Sequence, residues 1–390
     1  MFCPVRCPVP ANTGEPIGRD REDSTMSTRQ DTNQNGNMHH LSRMGWTSHF
    51  ETQMEHFIND GLVPARVVGT GKNSFRTSNG RSEWLATLAG RIRHDPDGTY
   101  PVTGDWVLMT DGVILRVLAR KNALTRGASG TRTKQNPQPQ KEQVIAANLD
   151  AVFIVCGLDR DFNLRRIERY LTLVYNCGLD PVIILTKADL HRDPGQFVNE
   201  LEAVAFGIPI HLVSASEDAG LTSLEPYLSL GRTAVLVGSS GAGKSTLVNR
   251  LYGGALQTTR AISPHVGKGR HTTTSRDLIM MPQGGMIIDT PGIREIAFWE
   301  RDNGMESAFP EIEGLGRGCR FKACTHTHEP GCRVLEAVNE GDIPRERMEN
   351  YRKMKRELEY LSHRQHKSAG RVEKERWKEV ALKIKAMAKF

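Results

Sequence analysis

Residues 238–245 of the chain read Gly238-Ser239-Ser240-Gly241-Ala242-Gly243-Lys244-Ser245, which matches the pattern G-x-x-x-x-G-K-[ST] at every defined position. An apolar segment, Ala234 to Val237, precedes this octapeptide, and a helical pattern beginning with Thr246 follows it. A strand, a glycine-rich turn and a helix in that order predict a phosphate-binding loop whose backbone N–H groups surround the phosphates. We expect residues 238–246 to form it. Lys244 would contact the β- and γ-phosphates and assist catalysis, and the Ser245 hydroxyl would bind Mg²⁺.

A second phosphate-side motif follows the apolar segment Met286 to Ile288. Asp289-Thr290-Pro291-Gly292 fits D-x-x-G, the GTPase motif that places a carboxylate near Mg²⁺ and a glycine amide near the γ-phosphate. Between the two motifs, residues 267–274 read Gly-Lys-Gly-Arg-His-Thr-Thr-Thr, which suits a switch I loop. We favour Thr273 as the Mg²⁺ ligand of this loop, although its neighbours also fit the spacing. An ordinary basic surface loop is the alternative.

The base is expected to be guanine. Thr186-Lys187-Ala188-Asp189 follows the apolar segment Val182 to Leu185 and fits [NT]-K-x-D. The Asp189 carboxylate can accept hydrogen bonds from guanine N1–H and the 2-amino group, a donor pair that adenine lacks on that edge. Lys187 is expected to pack its stem along the base plane. Ser214-Ala215-Ser216 follows a further apolar segment and fits the short motif that supports the guanine carbonyl oxygen, with Ser214 and Ala215 as the contacting residues.

The order of these motifs is permuted. In the common Ras-like order the phosphate-binding loop comes first, whereas here the base motifs precede it and D-x-x-G comes last. Apolar segments alternate with helical ones throughout this region, which predicts a mostly parallel sheet covered on both faces. The sequence therefore predicts a circularly permuted P-loop GTPase domain. Because the chain continues directly from Gly292, we hypothesise that nucleotide state is transmitted to the C-terminal region.

Catalysis needs a group that the D-x-x-G motif does not supply here. Many Ras-like GTPases carry a glutamine directly after this motif to orient the attacking water, and this chain has Ile293. Intrinsic hydrolysis is therefore expected to be slow unless another group or a partner contributes. His271 is the best candidate within the chain, because an imidazole can orient or deprotonate water. An exposed loop histidine without a role is the alternative.

A metal site is predicted from Cys319, Cys324, His326 and Cys332, spaced C-x4-C-x-H-x5-C. Three thiolates and one imidazole fit tetrahedral structural Zn²⁺, and the segment is so short that metal binding would supply folding energy. His328 could replace His326 as the fourth ligand, and unpaired structural cysteines are the alternative interpretation.

Differences in composition and charge along the sequence predict the domain boundaries. The net charge is +7, and residues 345–390 alone hold fifteen Lys/Arg against seven Asp/Glu, so we expect RNA contact there, although a solvated helix face is the usual fate of such a run. Short alternating apolar segments with turn residues predict a basic OB-like β-barrel, for which RNA binding and a merely solvated surface are both open. The expected divisions are 1–43 disordered extension, 44–130 RNA-binding barrel, 131–143 linker, 144–300 GTPase domain and 301–390 zinc-binding domain with a basic helical tail.

No apolar run is long enough to cross a bilayer, and the N-terminus has no signal-peptide core. The seven cysteines do not form a disulfide pattern. We therefore expect a cytoplasmic, monomeric protein with neither a membrane nor DNA as partner.

Taken together, the permuted motifs, the preceding barrel and the Cys/His segment resemble one family, the bacterial ribosome small-subunit-dependent GTPase A family. The resemblance runs from about Leu41 to the C-terminus and includes further matching stretches, which are Gly104-Asp105-Trp106, Glu142-Gln143-Val144-Ile145-Ala146-Ala147-Asn148 and Asp161-Phe162-Asn163-Leu164-Arg165-Arg166.

The resemblance implies an OB-fold barrel, a permuted GTPase domain and a zinc-binding helical domain. It also implies docking on the 30S subunit and its 16S rRNA late in maturation, with hydrolysis stimulated by that subunit. Ile293 agrees with the family's hydrophobic substitution, and His271 matches its proposed catalytic histidine. Thr186 replaces the commoner asparagine, and Gly241 stands where potassium-stimulated relatives have asparagine, so no potassium dependence is expected. The competing interpretation is a GTP-gated RNA-binding assembly module in which hydrolysis is incidental; an ATP-using enzyme is disfavoured by Asp189.

Overall fold

The structure is a computed structural model that describes residues 39–57, 60–93, 99–127, 142–254, 276–290 and 304–366. Of residues 127, 142 and 360–366 it describes the backbone only. Its strands are β1 (Val63–Thr70), β2 (Phe75–Ser78), β3 (Glu83–Leu88), β4 (Trp106–Thr110), β5 (Val113–Val117), β6 (Ala123–Gly127), β7 (Glu142–Ala147), β8 (Ala151–Gly157), β9 (Pro181–Thr186), β10 (Ile210–Leu212), β11 (Thr233–Val237), β12 (Asp277–Met280) and β13 (Met286–Asp289). Its helices are α1 (Ser48–Glu55), α2 (Gly90–Arg93), α3 (Leu164–Asn176), α4 (Gly195–Glu202), α5 (Lys244–Tyr252), α6 (Gly304–Ala308), α7 (Pro310–Gly316), α8 (Arg333–Glu340) and α9 (Arg345–His366).

The first five strands form a closed barrel. They follow the order β1-β2-β3-β5-β4, and β1 also pairs with β4, which closes the ring. Alternate side chains, among them Val67, Phe75, Val107 and Ile114, fill the interior and are fully or almost fully buried. The predicted barrel is thus confirmed. Its short second strand, β2, has a weak signal in the sequence, because Phe75 is the only large apolar residue in it.

The nucleotide half of the sheet has the order β10-β9-β8-β11-β13-β12. Neighbouring strands from β10 to β13 are parallel, and β12 is antiparallel to β13. Every residue of β8, β9 and β11 is buried, because both faces of the sheet are covered. In β8, Phe153 and Val155 face one core while Val152 and Ile154 face the other. This is the predicted, mostly parallel sheet of a permuted GTPase.

Barrel and nucleotide sheet are continuous, since β1 pairs antiparallel with β12 at Gly69 and Asp277. Arg66 reinforces this junction. Its buried guanidinium donates hydrogen bonds to five groups of neighbouring segments, which are the carbonyls of Met44, Gly104 and Asn148, the hydroxyl of Thr233 and the sulfur of Met286. Burial lowers the pKa of Arg66 to about 10.

Residues 39–43 are helical, and Leu41 is buried with Met44 and Trp46 in the main core. Disorder was predicted for these residues because polar residues dominate the composition of the N-terminal segment. The prediction was wrong at 39–43, because burial of Leu41 in the core holds these residues in place. Residues 1–38 of the predicted extension lie outside the described residues. Within the described ranges, every helix is too short or too polar to span a lipid bilayer.

At the C-terminal side, helix α9 packs against α3 of the nucleotide half. The Arg347 guanidinium donates to the Glu168 carboxylate at 2.5 Å and to Glu311 at 2.5 Å, and both Arg347 and Glu168 are only 3% exposed. Asn350 donates to the other oxygen of Glu168. A buried ion pair therefore fastens the Cys/His region to the sheet that carries the nucleotide motifs.

Candidate nucleotide-binding site and metal centre

The glycine-rich loop leaves the end of β11 at the centre of the nucleotide sheet and turns into α5 at Lys244. Its first residue, Gly238, has φ +146°, and a Cβ there would lie 2.3 Å from the carbonyl oxygen of Val155. Only glycine fits so close to the neighbouring strand. Ser245 and Thr246 are exposed on the first turn of α5, where free N–H groups and the helix dipole favour an anion.

Lys244 lies within this loop, with its ammonium donating to the carbonyl of Gly238 at 2.8 Å and to that of Ser239. Burial lowers the pKa of Lys244, and the nearby Asp289 carboxylate opposes that shift. Asp289 ends β13, the parallel neighbour of β11, and pairs in register with Leu236. The first residue of the D-x-x-G motif therefore lies one strand from the phosphate-binding loop, as a shared Mg²⁺ site requires.

The base motif holds the loop from the other side. Thr186, the last residue of β9, donates its hydroxyl to the Ala242 carbonyl at 2.6 Å. Lys187 adopts φ +59° and donates its ammonium to the Gly241 carbonyl at 2.8 Å and to Asp159 at 2.6 Å. Side-chain hydrogen bonds between residues 56 and 54 positions apart in the sequence thus join the two motifs.

Asp189 is exposed and accepts a hydrogen bond from the Ser214 hydroxyl at 2.6 Å. This bond lowers the pKa of Asp189, so the carboxylate remains an acceptor. Ser214 is buried and also contacts Ser216 at 2.9 Å. The carbonyl of Ala215 accepts from Arg250 of α5 at 2.7 Å. The two base motifs and the helix of the phosphate loop therefore meet at one edge of the sheet.

Sequence reasoning missed the part played by Asp161. Its carboxylate accepts hydrogen bonds from Ser239 at 2.5 Å, from the backbone N–H of Gly157 and from the Arg166 guanidinium. In the sequence, the stretch from Asp161 to Arg166 stands out only as matching the family, and a carboxylate shortly after the end of β8 is too common to indicate this contact. The predicted residues His271, Thr273 and Gly292, with Ile293, lie outside the described residues.

The predicted metal ligands converge. One ligand atom from each of Cys319, Cys324, His326 and Cys332 lies within 4.8 Å of every other. Zn–S and Zn–N bonds at tetrahedral angles place two sulfurs about 3.8 Å apart and a sulfur and a nitrogen about 3.6 Å apart. Cys319 and Cys332 sulfurs are separated by 3.8 Å, and Cys319 Sγ lies 3.6 Å from His326 Nδ1. The donor set and its spacing fit a closed tetrahedral site.

Neighbouring groups fix the metal-binding loop. The Glu329 carboxylate accepts from the backbone N–H groups of Thr325, Thr327 and His328, and Arg352 donates to the His326 carbonyl. Burial lowers the pKa of His326, which favours the neutral, metal-binding imidazole. His328 is exposed and lies outside the cluster. His326 is therefore the histidine that the structure places beside the three cysteines.

The phosphate-binding loop follows β11, D-x-x-G begins at the end of the neighbouring strand β13, and T-K-x-D begins at the end of β9, two strands away on the other side. This arrangement, in a chain order that begins with the base motif, defines a circularly permuted GTPase. A family model described as RsgA GTPase matches residues 117–299, and one described as 50S ribosome-binding GTPase matches residues 233–366. The chain belongs to the RsgA GTPase family.

Relatives cover most of the chain. The small ribosomal subunit biogenesis GTPase RsgA of Syntrophotalea carbinolica is 43% identical over 82% of this chain and 89% of its own length. The RsgA of Opitutus terrae is 40% identical over 87% of this chain and 95% of its own length. Among solved structures, YjeQ from Thermotoga maritima is 31% identical, with a TM-score of 0.55 over 76% of this chain and 98% of its own. YloQ, a circularly permuted GTPase, shares the fold at a TM-score of 0.52 and 23% identity, covering 78% of this chain and 97% of its own.

Proposed function

We propose that this protein hydrolyses GTP to GDP and phosphate while bound to the small (30S) ribosomal subunit, late in the maturation of that subunit. The observation that carries the proposal is the junction of Thr186 and Lys187 with Gly241 and Ala242, which assembles one nucleotide site from motifs in permuted order. Relatives that cover at least three quarters of the chain are named small ribosomal subunit biogenesis GTPases, which supports the choice of partner.

The base and phosphate roles follow the geometry. The ionised Asp189, held by Ser214, would accept the two guanine donors, and the Lys187 stem would lie along the base. Ala215 would support the guanine carbonyl oxygen through its backbone. The phosphates would bind the loop amides, with Lys244 on the β- and γ-phosphates and stabilising the charge that develops on transfer.

Mg²⁺ would bind next to this loop, with Ser245, Thr273 and Asp289 as its ligands. The ion would neutralise charge on the phosphates. The Gly292 amide would meet the γ-phosphate. In place of a glutamine after D-x-x-G, His271 would orient or deprotonate the attacking water. The Cys₃His cluster would hold one structural Zn²⁺, which stabilises the C-terminal region.

The partner in this proposal is the 30S subunit with its 16S rRNA, and the excess of positive charge in the chain supports contact with RNA. The protein would act as a cytoplasmic monomer, with neither a membrane nor DNA as partner. Family membership makes hydrolysis the activity, whereas the incidental-hydrolysis alternative predicts that bound GTP alone sets ribosome affinity and that His271→Ala leaves release from the subunit unaffected.

The test is turnover of GTP and ATP by the full-length protein alone, with purified 30S subunits and with purified 50S subunits at one salt concentration. The proposal expects GTP hydrolysis to be stimulated by 30S subunits only. Stimulation by 50S subunits instead would favour the large-subunit partner that the second family model names. Equal turnover in all three conditions would overturn the proposed partner, and faster ATP turnover would overturn the assignment of Asp189.

His271→Ala addresses the catalytic step. Loss of a general acid–base group typically lowers the rate by about 10²–10⁴-fold, so subunit-stimulated turnover should fall in that range with GTP affinity unchanged. A matched control is His191→Ala, since His191 follows the base motif and its ring contacts the Leu158 carbonyl. Equal stimulated rates for wild type and His271→Ala would remove the histidine from the mechanism.

A further inference from the structure

A large cleft adjoins the phosphate-binding loop. Its volume is about 910 Å³, and its lining comes from helices α3 and α9 and from Ser239 and Ser240 of the loop. Lys187, Asp189 and Lys244 do not line it, so it lies outside the predicted guanine site and only borders the phosphate-binding loop, at Ser239 and Ser240. The residues that carry its charge are Asp161, Arg165, Arg166, Arg169, Glu349, Arg352, Lys353 and Arg356.

The lining is strongly basic, with six Lys/Arg against two Asp/Glu. On α9, Glu349, Arg352, Lys353 and Arg356 follow the i, i+3, i+4, i+7 spacing of a single helix face. The facing side of α3 contributes a second row of arginines. Basic residues of two neighbouring helices therefore line one cleft, which concentrates positive potential there.

Most of these cations already bind a carboxylate or a carbonyl, and Arg356 itself donates its Nε to the Arg352 carbonyl at 3.2 Å. Arg166 pairs with Asp161, Arg169 binds Glu357 at 2.6 Å and Arg352 donates to a backbone carbonyl. Lys353 and Arg356 are exposed, and within the described ranges no carboxylate pairs with either of them. These two side chains are therefore available to an anionic partner.

The shape and lining favour a polymer backbone. Arginine forks bind phosphate oxygens in pairs, and a row of them suits successive phosphates. Tyr170, the aromatic residue of the lining, is 3% exposed and offers no face for a base to stack on. Recognition would thus be of phosphates and not of bases. The chain's own segment 367–390 is an unsuitable occupant, because it holds eight Lys/Arg against three Asp/Glu.

We propose that this cleft between α3 and α9 binds the phosphodiester backbone of an RNA segment, with Lys353 and Arg356 as phosphate ligands; the inference rests on the proposed function, which supplies the RNA. An RNA contact in this cleft could influence the nucleotide site through the residues that the cleft shares with the phosphate-binding loop. Arg166 holds Asp161, and Asp161 holds Ser239 of the phosphate-binding loop. An RNA phosphate seated here lies within two side chains of the nucleotide site.

The test is binding of the full-length protein to purified 30S subunits across a salt series. The variant Lys353→Ala/Arg356→Ala removes two phosphate ligands, and the control Arg192→Ala/Lys322→Ala removes two exposed positive charges outside the cleft. Each lost phosphate contact makes the slope of log affinity against log salt shallower by about 0.7 for single-stranded RNA, so the cleft variant should lose about 1.4. GTP affinity without subunits should match that of wild type in both variants, which also verifies folding.

Failure of the two proposals can be told apart. If wild type does not bind 30S subunits, both the proposed partner and the RNA cleft are overturned. If wild type binds and the cleft variant keeps the wild-type slope, or loses no more than the control variant, the cleft proposal alone is overturned. A shallower slope in the cleft variant only, with a lower subunit-stimulated GTP turnover, is the supporting result.

Discussion

Replacing Arg347 with methionine should loosen helix α9 from the nucleotide half of the protein. The guanidinium donates to Glu168, to Glu311 and, at 3.0 Å, to the Ala308 carbonyl, and its charged group stacks 4.8 Å from the centre of the Phe309 ring. Methionine fills much of the volume but leaves the Glu168 carboxylate buried and short of a cation. Breaking one side of a buried ion pair costs about 3–5 kcal/mol.

Hydrogen exchange followed by mass spectrometry suits this prediction, because it reports local opening and does not require the whole chain to unfold in one step. Since about 1.4 kcal/mol corresponds to a tenfold change, amide protection in residues 345–357 should fall by about two to four orders of magnitude. Arg333→Met is the matched control. Its partner Glu336 is 46% exposed and Arg333 itself 64% exposed, so loss of that surface pair is worth about 0–1 kcal/mol.

A double variant isolates the cause. Adding Glu168→Gln to Arg347→Met removes the buried negative charge, so part of the lost protection should return. Protection in Arg347→Met that stays within threefold of wild type would refute the argument that this pair holds the two regions together. Loss of protection that the second substitution does not relieve would assign the effect to packing, against the electrostatic reasoning.

Two further predictions concern the nucleotide and metal sites. Asp189→Asn should lower the preference for GDP over ADP by about 10²–10⁴-fold, because two hydrogen bonds to a charged acceptor, worth about 1.5–3 kcal/mol each, are lost. Titration with fluorescent nucleotides measures this preference, and substitution of the exposed Asp193 by asparagine is the control. His326→Ala should abolish stoichiometric zinc in purified protein and destabilise residues 319–332, whereas His328→Ala should keep the zinc, as determined by metal analysis and exchange protection. Unchanged base preference in Asp189→Asn, or zinc loss in His328→Ala but not in His326→Ala, would contradict these assignments.

Much of the fold could be predicted because its signals are local. A glycine-rich turn between an apolar strand and a helix predicts a phosphate-binding loop. Gly238 of that turn lies so close to Val155 that only a residue without a side chain fits there. The ligand spacing from Cys319 to Cys332 likewise fits a single loop. Predictions failed where local composition misled, as at residues 39–43, whose polar surroundings hid the buried Leu41.

The sequence by itself determined which motifs are present, their permuted order and the donor set of the metal site, because each of these depends on residues close together in the chain. Only the tertiary structure decided which distant groups meet. Asp161 lies 78 residues from Ser239 in the sequence, and Glu168 lies 179 residues from Arg347, yet each pair is joined by a hydrogen bond. Such contacts depend on how strands are ordered in the sheet and on which helix covers which face, and no short-range pattern of residues encodes that arrangement.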